Sequence, residues 1–213
     1  MHTSDTLTAL LHTHYAIQAQ LSKLDGDRDD NYLATCISGE KFVLKLMHPN
    51  CETNNVNLQC KAMQNLAHLP LDLPQVIPSR HSSLYTLVEV DGELRILWLL
   101  KWCEGVLLGH LAHHDAALQN SFGAALAQLD IALQSVEHPA TYSQSQWNLT
   151  AASLSVPYLD SIIGPHRQQA RESLEYFSKH TLPALHTLPH GLIHNDANDY
   201  NVLVSDIDDN ARV

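Results

Sequence analysis

The chain has 213 residues, 45% of them hydrophobic, enough for one two-lobed domain or two small ones with real cores. A formal net charge of −11 repels phosphate backbones and makes nucleic acid a poor partner. No stretch approaches the roughly 18–20 consecutive apolar residues of a membrane span, so no membrane association is expected. Met1-His2-Thr3-Ser4-Asp5 lacks the positive flank and apolar run of a secretory signal, and Cys36, Cys51, Cys60 and Cys103 show neither CxxC spacing nor a dense framework. Reduced thiols and a cytoplasmic location are the expectation. The histidine pairs His12/His14 and His113/His114 lack the spacing that sets two imidazoles on one helix face, and read as solvated surface residues.

In chain order, Thr6 to Leu21 reads as a helix that turns extended near Ile17, followed by the polar turn Leu24 to Asn31. Tyr32–Ile37 and Phe42–Leu46 read as strands around the tight turn Ser38-Gly39-Glu40, an antiparallel hairpin ended by Pro49 and Asn50. A helix is expected from Asn54 to Leu69, stopped by Pro70. Leu84–Val90 and Leu94–Leu100 form a second hairpin around Asp91-Gly92. From Asp115, Leu118, Phe122, Ala125, Leu126, Leu129, Ala132, Leu133 and Val136 recur at three- and four-residue steps, which predicts an amphipathic helix ended by His138-Pro139. Arg167 to Leu182 gives another helix, and Gly191–Ile193 and Asn201–Val204 give two short strands. The expected fold class is α+β: a β-rich lobe over residues 1–101, then a hinge and a helical lobe over residues 102–213.

His194-Asn195-Asp196-Ala197-Asn198-Asp199-Tyr200-Asn201 carries the strongest chemical signal, His-x-Asp with Asn five positions after the Asp. Phosphoryl transfer needs a carboxylate that accepts the proton of the attacking hydroxyl and a nearby amide oxygen for a magnesium ion on the ATP phosphates. Taken alone, a loop rich in Asp and Asn reads as plain turn chemistry about as often. Lys45, at the end of the strand Phe42-Val43-Leu44-Lys45, stands where kinases place the lysine that pairs with nucleotide phosphates.

With these residues, Ile96-Leu97-Trp98-Leu99-Leu100-Lys101-Trp102 before Glu104-Gly105, and His190 through Val204, the chain resembles the aminoglycoside phosphotransferase/choline kinase superfamily. Within it the chain is most similar to the hydroxylysine kinase-like branch, whose domains also occur fused to class III aminotransferases. The resemblance implies a protein-kinase-like two-lobed fold, with ATP and Mg2+ as cofactors. It implies Asp196 as the catalytic base, Asn201 as the metal-binding amide and Lys45 as the phosphate-pairing lysine. Trp98 to Gly105, with Trp102 and Glu104 at its end, resembles the hinge that meets adenine. The turn Asp25–Asn31 sits where the nucleotide-covering loop belongs, but it holds one glycine, Gly26, and four acids, so little direct role is expected of it.

Two departures qualify this resemblance. The helix after Lys45 should offer a carboxylate to that lysine, and helix phase puts Gln59 there, with Glu52 too early to serve. The family's Asp-Phe-Gly-like metal carboxylate should follow a hairpin, yet Ser205 to Asn210 is that hairpin turn and Ala211-Arg212-Val213 begins the returning strand. Asp206, Asp208 and Asp209 read as turn residues, so the helical lobe is expected to be incomplete and to need a C-terminal continuation or fused aminotransferase domain. The implied activity is transfer of the ATP γ-phosphate to a hydroxyl of a small amino alcohol or amino acid. The alternative is a non-catalytic kinase-like module that binds nucleotide or another domain.

Overall fold

The structure, a computed structural model, describes residues 4–142 and 147–205. The expected turn through Asp206, Asp208 and Asp209 and the returning strand at Ala211–Val213 lie outside the described residues. The chain divides into two compact units, one formed by Met1–His138 with Leu192–Val213 and the other by Pro139–Gly191.

In the first unit, α1 (Ser4–Tyr15) leads into β1 (Ala19–Leu24), β2 (Asp30–Cys36) and β3 (Lys41–Leu46). Then come α2 (Thr53–Leu66), β4 (Val76–Ile77), β5 (Thr86–Val90) and β6 (Glu93–Lys101). The sheet order is β1-β2-β3-β6-β4, with β5 also paired to β6. Every pairing is antiparallel, and the β5–β6 hairpin closes as expected through Asp91 and Gly92, both at positive φ.

Strand alternation divides the apolar residues between two faces. Phe42, Leu44 and Leu46 of β3, with Leu97 and Leu99 of β6, join Leu7, Leu11 and Tyr15 of α1 in one core. Ile96, Trp98 and Leu100 pack instead with Val56 and Cys60 of α2 and with Met47. The sheet is thus covered by a helix on each face. The run Arg95 to Leu100 is buried throughout because both of its faces are covered.

Among the described residues of this lobe Arg95 is the charged side chain that is buried. Its Nε donates to Met47 O at 2.7 Å, and its Nη2 donates to Leu46 O at 3.1 Å and to Asp30 Oδ2 at 2.9 Å. Lys23 meets the other oxygen of Asp30 at 2.7 Å. Burial pushes the Asp30 carboxyl up, but the hydrogen bonds from Lys23 and Arg95 outweigh it and hold the group below its ordinary value. A carboxyl depressed on folding adds stability above its unfolded pKa and loses it as pH falls through the folded one. Asp30→Asn is therefore expected to lower the thermal midpoint at neutral pH and to flatten its fall in acid. Arg95→Ala, which strands two carbonyls and a half-buried carboxylate, is expected to cost about 3 kcal/mol. Thermal melts from neutral pH down into the carboxylate range check both; parallel melting curves for wild type and Asp30→Asn would contradict the linkage.

After β6 the chain forms β7 (Val106–Leu107), a 3-10 turn at Leu108–His110, and α3 (Ala116–Leu133). Asp115 caps α3, its carboxylate accepting from Leu118 N at 2.8 Å. Asn65 of α2 donates to Ala132 O at 2.8 Å and Lys61 to Glu137 O at 2.6 Å, which ties α2 to the end of α3. The last described strand, β8 (Leu203–Val204), pairs with β7.

In the second unit, 3-10 turns span Pro139–Tyr142 and Leu149–Ser161, followed by α4 (His166–Tyr176), a π-helical turn at Phe177–Thr181 and α5 (Leu182–Leu185). Arg167 joins two of these pieces, donating to Asp160 O and Ile162 O, each at 2.8 Å. The single helix expected over Arg167–Leu182 is interrupted at Phe177. Pro183 has no N–H to donate, and the turn before it widens so that Leu182 N reaches Phe177 O. Among the described residues of this unit Leu159 is the one buried hydrophobic side chain, and Trp147, Tyr158 and Ile163 stand exposed. No helix among the described residues is long and apolar enough to cross a membrane.

Candidate active site

The Asp/Asn loop is held by its own side chains. Asn198 Oδ1 accepts from Tyr200 N at 2.9 Å, and Asn201 N donates to Asn198 O at 3.0 Å. The two oxygens of Asp196 take different partners: Oδ1 accepts from Asn198 Nδ2 at 2.8 Å and Oδ2 from Asn201 Nδ2 at 2.7 Å. Asn201 Nδ2 also reaches Asp196 O at 2.8 Å. Asp196 and Asn201 are therefore side by side, with the amide nitrogen turned inward and its Oδ1 left outside the loop's bonds. His194 Nδ1 accepts from Asp196 N at 3.3 Å, which puts the imidazole proton on Nε2. Asn195 takes φ 66°, in the left-handed region that Asn tolerates best. Both Asp196 and Asn201 are exposed.

The flanks of this loop differ from expectation. Residues 191–193 form no strand, and Ile193 is exposed. The following strand starts at Leu203 rather than Asn201, because Asn201 is used by the turn. The loop is anchored instead by the segment after β6: Val106 pairs with Val204 and Leu107 with Leu203, Leu108 N donates to Val202 O at 2.9 Å, and Gly109 N to Asp199 O at 2.9 Å. Gly105 makes this approach possible. Its φ is +147°, and a Cβ there would lie 3.1 Å from both Leu203 Cβ and Val204 O. No glycine-rich pattern announces this position in the sequence.

Lys45 pairs with Trp98 across β3–β6, and its Nζ lies 5.9 Å from the centre of the Trp98 ring. Among the described residues this ammonium makes no hydrogen bond and no ion pair. Burial pushes its pKa below the ordinary lysine value, and Asp29 and Cys51 draw it part of the way back. A half-buried cation without a partner is costly in a folded chain and is the arrangement an anionic ligand relieves.

Gln59 does not meet Lys45. It is exposed on α2, whose Val56 and Cys60 turn to the sheet. Trp102 and Glu104 follow β6, and both are engaged with Lys41, whose Nζ stands 5.9 Å from the Trp102 ring centre and 2.9 Å from Glu104 Oε1. The Lys41 hydrogen bond holds the Glu104 carboxyl below its ordinary value. The Trp102 indole lies near the same carboxylate but outside hydrogen-bond geometry, and its Nε1 is buried without a partner. Both hinge side chains thus brace the start of β3, and Trp102 N also donates to Lys41 O at 3.4 Å.

The first unit therefore carries a carboxylate with an adjacent amide oxygen on one loop and an unpaired ammonium on the sheet. The ammonium suits a phosphate chain, and Asn201 Oδ1 is an oxygen of the kind a hard divalent cation takes. No group of three or more His, Cys, Asp and Glu side chains that could hold a metal occurs among the described residues.

The sequence from residue 20 to 213 matches the Phosphotransferase enzyme family. Three solved structures share the fold. A microcompartment-associated aminopropanol kinase superposes with a TM-score of 0.76 at 17% identity, over 98% of this chain and 68% of that one. An amicoumacin kinase, solved in complex with AMP-PNP, Ca2+ and Ami, gives 0.64 at 14%, over 89% and 55%. A macrolide 2'-phosphotransferase from Brachybacterium faecium gives 0.54 at 17%, over 95% and 68%. The chain thus spans between about half and two thirds of the length of these proteins. No curated protein matches it significantly. Its α+β fold is that of the protein-kinase-like phosphotransferases, and the chain belongs to the phosphotransferase enzyme family of the aminoglycoside phosphotransferase/choline kinase superfamily.

Proposed function

We propose that this protein transfers the γ-phosphate of ATP to a hydroxyl of a small amino-containing metabolite in the cytoplasm. The observation that carries this is the bonded pair Asp196–Asn201, in which Asn201 Nδ2 donates to Asp196 Oδ2 at 2.7 Å and so fixes a proton acceptor beside an amide whose oxygen is of the metal-binding type. The unpaired ammonium of Lys45 supports it from the sheet, as the group that takes the nucleotide phosphates. In the reaction, the acceptor hydroxyl gives its proton to Asp196 as its oxygen bonds to the γ-phosphorus, and the bond from that phosphorus to the bridging oxygen of ADP breaks. Lys45 spreads positive charge over the phosphates on both sides of that break. The backbone of β6 is taken up by its neighbouring strands, so the segment that offers backbone groups to the adenine edge is the one after it, from Trp102 through Glu104 to Gly105. Magnesium, held in part by Asn201 Oδ1, would neutralise phosphate charge.

An amino-bearing acceptor fits the acidic character of the chain, with its net charge of −11. The name of the aminopropanol kinase points to the same substrate class. The test is calorimetric titration with Mg-ATP, followed by ADP release with a panel of amino alcohols and hydroxy amino acids. Binding between about 1 μM and 1 mM, with ADP release that depends on an acceptor, is the expected result. No binding at millimolar nucleotide would overturn it and leave a non-catalytic kinase-like module.

A further inference from the structure

The charge partner that kinases supply to their phosphate lysine from a helix is missing at Gln59, so the rest of the surroundings of Lys45 matter. The β2–β3 register sets Asn31 directly opposite Lys45. Cross-strand partners share a face, and Lys45 lies on the α2 side with Trp98 and Val43. Asp29 stands two residues earlier, at the end of the turn that leads into β2. Asp29 is fixed there, its Oδ1 accepting from His48 N at 2.9 Å, just beyond the end of β3. Its second oxygen takes no bond among the described residues. Asn31 Oδ1 is buried and also without a partner. The turn that carries these residues is tight: a Cβ at Gly26 would lie 2.5 Å from Asn31 Nδ2 and 2.7 Å from Asp29 O.

We propose that Asp29, from the turn between β1 and β2, is the carboxylate that positions and balances Lys45, in place of a helix residue. Resting on the nucleotide-binding reading, this assigns to an acidic turn the role that the family gives to the helix after the lysine. The Coulombic influence of Asp29 on Lys45 agrees with the placement. The other titratable group that acts on the lysine is Cys51, from the segment before α2, with Arg28 and Glu52 acting in turn on Cys51; β6 contributes the Trp98 ring. Asp29 is a positioning residue, acting through Lys45 without touching the transferred phosphoryl group.

The experiment follows the Lys45 side chain by lysine-labelled NMR through a pH titration, assigned with Lys45→Met, in wild type, Asp29→Asn, Asp29→Glu and Gln59→Ala. Asp29→Asn is expected to move the lysine titration to lower pH, Asp29→Glu to restore it, and Gln59→Ala to leave it unchanged. A merely structural role for Asp29 would lower the melting temperature without moving this titration. Mg-ATP affinity is measured beside it: Asp29→Asn should weaken binding about tenfold more at alkaline pH than at neutral pH. An unmoved lysine titration in Asp29→Asn, or a moved one in Gln59→Ala, overturns the proposal even if ATP binds. A moved titration with no ATP binding in any variant upholds the pairing and removes the nucleotide reading.

Discussion

Replacing Asp196 by Asn is expected to slow phosphoryl transfer by about 10²–10⁴-fold while nucleotide affinity and melting temperature stay near wild type. The physical argument starts from the loop. Asp196 is exposed and its two oxygens accept from Asn198 and Asn201. An amide of the same shape can still accept one of those bonds, so the loop loses one contact and keeps its backbone, which is held separately by Asn198 and by Asn201 N. What the amide cannot do is take a proton from an attacking hydroxyl. The loss should therefore appear in kcat with KM for ATP little changed, the pattern of a group that acts only in the transition state. Asn201→Ala should differ: it removes the oxygen offered to magnesium and releases Asp196 from its partner, so part of its defect should be recovered by raising magnesium. Single-turnover ADP formation across a magnesium series distinguishes the two. Full turnover in Asp196→Asn would remove the base from the proposed mechanism.

How far the sequence discloses this site depends on whether local pattern or tertiary register decides the position. The loop from His194 to Asn201 is legible because its side chains bond to their own neighbours, and the spacing already contains the geometry. The hairpins β2–β3 and β5–β6 are legible because alternation and a turn signal coincide. Gly105 and Asp29 are not. Gly105 matters only because β8 returns to pair with β7, a contact across about a hundred residues that leaves no local mark. Asp29 looks like one acid among several in a polar turn, and only the pairing of Asn31 with Lys45 puts it beside the lysine. Gln59 follows from helix phase alone, and α2 turns other positions, Val56 and Cys60, to the strands while Gln59 stands exposed. The strand expected at Gly191–Ile193 fails for a related reason. An apolar run needs a pairing edge, and β7 is taken up by Leu203 and Val204.

Lys45→Met should separate stability from function most sharply. The ammonium is half-buried over Trp98 with no bonded partner, a placement that penalises the folded chain whenever the lysine is charged. Methionine fills similar volume without a charge, and since burial outweighs the pull of Asp29 on the ammonium, the ligand-free variant is expected to melt above wild type. The pH dependence has a fixed sign. Burial holds the folded pKa below the ordinary lysine value, so the penalty is complete at pH below the folded pKa and fades as pH rises from there to the unfolded one. The gap between variant and wild type should therefore narrow in alkali. Nucleotide reverses the order: the phosphates relieve the charge in wild type and gain nothing from methionine, so Mg-ATP affinity should fall about 10²-fold or more. At the same Mg-ATP concentration, wild type should then rise in melting temperature by clearly more than the variant. A variant that is no more stable without ligand would mean that Asp29 already offsets the burial of Lys45 in the free protein, and one that gains as much stability from Mg-ATP as wild type would place the phosphates elsewhere.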